Sequence, residues 1–163
     1  LVCVAAPFYA RIMLFYLGFR GYFNVFPLKQ LIKQMRIIPI DLALHMKGAL
    51  QASGFILRHG KSLCIFPEGE RSIDGKVKRF KKGLGIIVKE LRIGVVPVYI
   101  KGAFEAWPRP AKFPRPHPIR IYFGKYCPFE ELAKQAQTLD ITDEYEALAK
   151  VVEREVKKLG NEQ

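Results

Sequence analysis

Seven consecutive residues, Phe66-Pro67-Glu68-Gly69-Glu70-Arg71-Ser72, crowd two carboxylates, a guanidinium and a hydroxyl behind the apolar run Leu63-Cys64-Ile65-Phe66. This is the composition of a loop that holds an anion. A phosphate needs a fixed cation and hydrogen-bond donors, and Arg71 offers a planar fork able to bind oxyanions bidentately, which Lys cannot copy. Gly69 lets the backbone turn sharply next to such an anion. Three roles are open to Glu68: holding Arg71, accepting a hydrogen bond from a substrate hydroxyl, or orienting a catalytic group. In the basic run that follows, Lys78, Arg79, Lys81 and Lys82 make a wider cationic rim suited to further phosphates or lipid headgroups. The plainer reading of the same residues is a solvated basic face with Glu68 and Arg71 in a surface salt bridge.

For these groups to act, the loop must leave the end of a buried strand, and Leu63 to Phe66 has the continuous apolar character of a strand covered on both faces. Gly and Pro divide the chain into alternating strand and helix segments without repeat or linker. That alternation predicts an α/β single domain with a mostly parallel (mixed) sheet flanked by helices. Strands are expected at Arg11 to Leu17, Arg36 to Ile40, Val95 to Ile100 and, near an edge, Ile119 to Gly124. Helices are expected at Val25 to Met35, Leu42 to Arg58, Leu84 to Leu91, Pro128 to Gln137 and Thr142 to Leu159. The last has acids early and lysines late, matching its macrodipole. Ser72 to Gly75 is a turn by composition. Lys101 to Pro118, with five prolines and the only Trp, reads as an irregular surface loop.

A chain of 163 residues fits one domain with a core of its own. Half of the residues are hydrophobic, which excludes a disordered tail or low-complexity segment. The net charge of +12 is uneven: +7 over residues 1–66, +9 over 67–125 and −4 over 126–163. Such a field attracts an anionic membrane surface, a phosphorylated small molecule, coenzyme A or nucleic acid, and charge alone does not choose among them. Cys3, Cys64 and Cys127 stand singly, so they read as plain thiols of a reducing compartment rather than a disulfide framework or zinc site. Leu1 to Phe19 carries one charge, Arg11, and is broken by Pro7 and Gly18. It reads as a core strand or helix, or as a monotopic segment in the bilayer interface, and not as a signal peptide or membrane span.

Other pieces stand in a set order around the loop: Arg36-Ile37-Ile38-Pro39-Ile40-Asp41-Leu42 before it, Phe80-Lys81-Lys82-Gly83 and Val96-Pro97-Val98 after it. Together they resemble the sequence blocks of lysophosphatidic acid acyltransferases and related phospholipid/glycerol acyltransferases. Phe66 to Ser72 is similar to that family's Phe-Pro-Glu-Gly-Thr-Arg-Ser at six of seven positions, with Glu70 where Thr or Ser is usual. The resemblance runs from about Tyr22 to Tyr126. Arg58-His59-Gly60-Lys61, Ala106-Trp107-Pro108-Arg109 and Phe113 to Pro118 look most like acyltransferase modules fused to acyl-activating enzymes.

The resemblance implies a glycerolipid acyltransferase-like fold and a fatty acyl transfer from acyl-CoA or acyl carrier protein to the free hydroxyl of a lysophospholipid or acylglycerol phosphate. It implies no metal and no resident cofactor, the acyl thioester being a co-substrate. Arg71 would bind the acceptor phosphate, Glu68, Gly69 and Ser72 shape the same loop, Lys81 and Lys82 add positive potential, and Pro97 shapes the pocket from a neighbouring strand. The implied partners are the acceptor lipid, the thioester, an anionic membrane surface on its cytoplasmic face and a fused or associated acyl-activating domain, without nucleic acid.

Two departures limit the likeness. Leu42 stands where the family's second block has Arg, and the first block, His-x-x-x-x-Asp, is absent. That His is the family's general base. His45 follows Asp41 in reversed order on an expected helix, His59 sits at that helix's C-terminal end, and His117 lies among prolines with no acid five positions on. The pair is therefore expected just upstream of Leu1, making residues 1–163 a single acyltransferase domain that lacks its first block and is inactive alone, with residues 127–163 a helical C-terminal extension. The competing reading, from a different class, is a non-catalytic basic module that binds anionic membrane or nucleic acid.

Overall fold

The computed structural model describes residues 13–19, 36–40 and 46–162, and the chain divides into two compact units, Leu1–Phe66 and Pro67–Gln163. In the first unit, β1 (Leu14–Phe19), β2 (Ile37–Ile40) and β3 (Ser62–Cys64) form a parallel sheet in the order β2-β1-β3. Tyr16 is the common register point, opposite Ile37 on one side and Cys64 on the other. Parallel neighbours need a crossover. One precedes β3 as α1 (Met46–Arg58), which buries Ala49, Ser53 and Ile56 at helical spacing and packs against β3. At its end His59 Nδ1 donates to the Phe55 carbonyl at 2.8 Å, and Gly60 turns the chain with φ +68°. The strand expected through Phe66 ends at Cys64, with Ser62 exposed and Leu63 and Cys64 half-buried rather than covered on both faces. The helix expected at Val25 to Met35, and Asp41, Leu42 and His45, lie outside the described residues.

The second unit contains α2 (Lys82–Leu91), β4 (Val98–Lys101), α3 (Ala103–Ala106), β5 (Arg120–Phe123), α4 (Phe129–Gln137) and α5 (Glu144–Asn161). β4 and β5 pair antiparallel, Val98 opposite Phe123 and Lys101 opposite Arg120, and Val95 forms an isolated bridge to Cys127. The strand expected at Val95 to Ile100 is thus split, because Pro97 has no N–H to continue the ladder. The expected irregular loop after Lys101 contains one helical turn, α3.

The core of this unit is helical. Leu148, Val151, Val152 and Val156 on α5 recur at 3.6-residue spacing and are buried together with Leu84, Ile87 and Val88 of α2 and Leu132 and Ala136 of α4. Each of these Leu, Ile and Val side chains contributes roughly 1.5–3 kcal/mol when fully buried. Residues 127–163, expected as an extension, therefore supply the central helix of the unit: α5 packs on α2, α4 and β4. At the α2–α5 contact a Cβ on Gly85 would lie 1.9 Å from the Tyr145 carbonyl oxygen, so only Gly permits this approach. The α/β class expected from the alternation of segments is the class observed, with its parallel strands confined to the first unit.

Candidate functional site

The loop that follows Pro67 is folded by its own residues. Gly69 adopts φ +73°, a left-handed conformation that costs a non-Gly residue energy, and a Cβ there would lie 2.7 Å from Lys81 Nζ. The Lys81 amide donates to the Pro67 carbonyl at 2.8 Å, so the main chain of the basic run is bonded to the beginning of the loop and its ammonium rests against Gly69. Glu68 does not hold Arg71. Its Oε2 accepts the Lys78 N–H at 2.7 Å, which ties the loop to the same basic run. Burial pushes the Glu68 carboxyl above the ordinary range, against the lowering effect of the Lys78 amide and charge.

Arg71 is exposed and lies with its guanidinium 5.1 Å from the centre of the Trp107 ring. Its Nη2 donates weakly to the Arg109 carbonyl at 3.5 Å, and no carboxylate among the described residues pairs with it. Most of its donors therefore remain available to an oxyanion. Glu70 takes the ion pairs instead: one oxygen accepts from Lys78 Nζ and the other from Arg109 Nη1, each at 3.0 Å. The Lys78 hydrogen bond, then the Lys78 charge and the Arg109 bond, hold the Glu70 carboxyl below its ordinary range. Glu70 thus neutralises two neighbouring cations and leaves Arg71 as the free guanidinium of the loop.

The other expected site residues have local duties. Ser72 Oγ is 3.1 Å from both Asp74 Oδ1 and the Lys76 carbonyl, and its one hydrogen can serve either, closing the turn at residues 72–76. Lys82 pairs with Asp143, the N-cap of α5, whose Oδ1 accepts the Tyr145 and Glu146 amides. Pro97 is buried, and its carbonyl accepts the Gly124 N–H at 2.9 Å in the β4–β5 region. The structure therefore gathers Glu68, Gly69 and Lys81 at one end of the loop and Arg71 at the other, while Ser72, Lys82 and Pro97 serve the turn, α5 and the hairpin.

Beside Lys81 and Lys82 lies a cleft of ≈500 Å³ that Arg79, Phe80, Ile141, Glu146, Lys150 and Glu153 also line. Glu153, 1% exposed, forms its acidic floor: Oε2 accepts the Phe80 N–H at 3.0 Å, and Oε1 accepts from Lys150 and Lys157 Nζ at 2.8 Å each. Burial alone would raise its pKa, but the two ammonium groups and the amide outweigh it and hold the carboxyl at about 2. Reading the sequence did not find Glu153. The available signal is a lone acid on the apolar face of α5, after Val151-Val152, with Lys at the preceding third and following fourth positions. Nor did it find the Glu70 clamp, since Arg109 lies 39 residues away.

A family model described as acyltransferase matches residues 2–101, a span that includes the 67–72 loop and Val96-Pro97-Val98. The chain belongs to the acyltransferase family. It is similar to 1-acyl-sn-glycerol-3-phosphate acyltransferases: that of Cocos nucifera is 39% identical over 70 residues, 42% of this chain and 23% of that protein. That of Limnanthes douglasii is 32% identical over 111 residues, 68% of this chain and 38% of that protein. This acyltransferase chain thus spans well under half the length of these curated relatives. The crystal structure of the 1-acyl-sn-glycerophosphate acyltransferase PlsC from Thermotoga maritima has the same fold, with a TM-score of 0.61 at 20% identity over 90% of this chain and 56% of PlsC.

Proposed function

We propose that this chain carries the acceptor-binding part of an enzyme that transfers a fatty acyl group from acyl-CoA or acyl carrier protein to the free hydroxyl of a lysophospholipid or acylglycerol phosphate. The observation that supports it is Arg71, an exposed guanidinium without a carboxylate partner among the described residues, in a chain of the acyltransferase family. In this reading Arg71 takes the acceptor phosphate bidentately. Gly69 keeps the main chain low beside Lys81, and Lys81, which also lines the cleft, adds positive potential for phosphates of either substrate. Glu68 and Ser72 act by holding the loop closed at its two limbs.

The acceptor hydroxyl attacks the thioester carbonyl, the new C–O bond forms as the C–S bond breaks, and the sulfur leaves as the thiol, taking back from the base the proton that the hydroxyl gave up. The hydroxyl's own proton goes to a base, for which the His-x-x-x-x-Asp pair expected before Leu1 is the proposed source. The reaction needs no resident cofactor. Its setting is a phospholipid-synthesising or remodelling membrane at the cytoplasmic face, with an acyl-activating domain as a partner that would generate the thioester. Among the described residues no helix is long and apolar enough to cross a bilayer; attachment would be peripheral or through a membrane region outside this chain.

The test is Arg71→Ala in the protein that combines this chain with that His/Asp pair, assayed with lysophosphatidic acid and acyl-CoA. A charged hydrogen-bond partner is worth roughly 1.5–3 kcal/mol, so kcat/KM for the acceptor should fall about tenfold or more while KM for acyl-CoA stays put. Unchanged acceptor kinetics would refute the assignment of Arg71.

A further inference from the structure

Three large apolar side chains stand out of two neighbouring loops near Arg71: Ile73 at 60% exposure, Trp107 at 45% and Phe113 at 79%. Neither loop is slack. The loop at residues 106–115 is closed by the Arg115 N–H on the Ala106 carbonyl at 2.6 Å, and inside it Trp107 Nε1 donates to the Ala111 carbonyl at 3.0 Å. The turn at residues 72–76 leans on α3, where a Cβ on Gly75 would lie 3.2 Å from the Phe104 ring. Arg71 over Trp107 and Glu70 on Arg109 fasten the two loops together.

Charge accompanies this apolar surface. Between Ala106 and Pro118 there is no Asp or Glu, whereas Arg109, Lys112 and Arg115 are present, and Lys76 lies in the turn. Among the described residues Lys76, Lys112 and Arg115 have no ion pair. Exposed Trp, Phe and Ile interspersed with cations are what a headgroup region accepts, aromatic rings at the acyl boundary and ammonium or guanidinium groups among lipid phosphates. A nucleic acid could stack on Trp107 and Phe113, but it offers Ile73 nothing.

We propose that the turn at residues 72–76 and the loop at residues 106–115 form a surface that docks on an anionic lipid bilayer and brings Arg71 among the headgroups. Its purpose rests on the acyltransferase reading, since a lipid acceptor would then reach Arg71 without leaving the membrane. The docking itself is measurable without turnover.

Trp107 is the only Trp in the chain, so its emission reports this surface directly. Titration with phosphatidylglycerol-containing vesicles should shift the emission to the blue, acyl chains bearing bromine should quench it, and phosphatidylcholine vesicles should do neither at the same lipid concentration. Phe113→Ser, at a position too exposed to affect folding, should weaken partitioning about tenfold. Lys112→Glu with Arg115→Glu should abolish the preference for anionic lipid. Vesicle binding with unchanged Trp107 emission would place the membrane contact elsewhere and overturn the proposal, as would no binding, equal response to neutral vesicles, or a Trp107 response to an oligonucleotide alone. Acyl transfer by Arg71→Ala to a soluble short-chain lysophosphatidic acid, assayed without vesicles, tests the chemistry apart from the docking, so either reading can fail alone.

Discussion

Replacing Glu153 with Gln tests whether charge, rather than shape, holds the basic run against α5. Gln keeps the size of the side chain and an acceptor for the Phe80 N–H, but it loses both ammonium partners, Lys150 and Lys157. Folding lowers the Glu153 pKa from 4.5 to about 2, so the folded state keeps the anion where the unfolded chain binds a proton. At ~1.36 kcal/mol per pH unit that gap is worth about 3 kcal/mol, fully present above the unfolded value and lost as pH falls toward 2. The side chain is 2% exposed, so solvent does little to screen it, whereas its half-exposed lysines can return to water in the variant. Urea unfolding followed by far-ultraviolet circular dichroism should therefore show Glu153→Gln less stable by roughly 2–3 kcal/mol at pH 7. The two stability curves should converge between pH 4.5 and 2 as wild type takes up its proton. A difference that stays constant over that range would mean that packing, not ionisation, sets the cost, and would refute the reasoning.

Two glycine substitutions probe the close approaches. Gly85→Ala should destabilise by about 1–3 kcal/mol, because the new methyl collides with the Tyr145 carbonyl at the α2–α5 contact and the helix propensity it gains is only about 1 kcal/mol; a higher urea midpoint would contradict that packing. Gly69→Ala faces a flexible lysine end rather than main chain, so the left-handed φ sets the cost at about 1–2 kcal/mol. Displacing Lys81 should also raise the acceptor KM, and an unaltered KM would remove Lys81 from the site.

Much of the outline was legible because local rules govern it. Helices α1, α2, α4 and α5 and strands β2 and β5 fall within a few residues of their expected places, since apolar period, Gly and Pro act over single segments. What local rules could not supply was pairing. Val98–Lys101 looks like a strand of a parallel sheet, yet its partner is β5, antiparallel, a choice made by chain path rather than composition. In sequence, residues 127–163 read as a helical C-terminal extension, whereas the buried face of α5 is the centre of the second unit.

By itself, the sequence determined the family and the site's ingredients: a loop of Glu68, Gly69 and Arg71, a basic run behind it, and the order of the blocks around them. Only the tertiary structure decided which of those charges remain free. Glu68 answers a main-chain amide, Glu70 binds Lys78 and Arg109, Lys82 is taken by Asp143, and Arg71 is left on the face of Trp107. The reason is physical: a charge is cancelled or left over according to what lies within a few ångströms of it, and while Lys78 is a near neighbour in sequence, Trp107, Arg109 and Asp143 come from 36 to 61 residues along the chain.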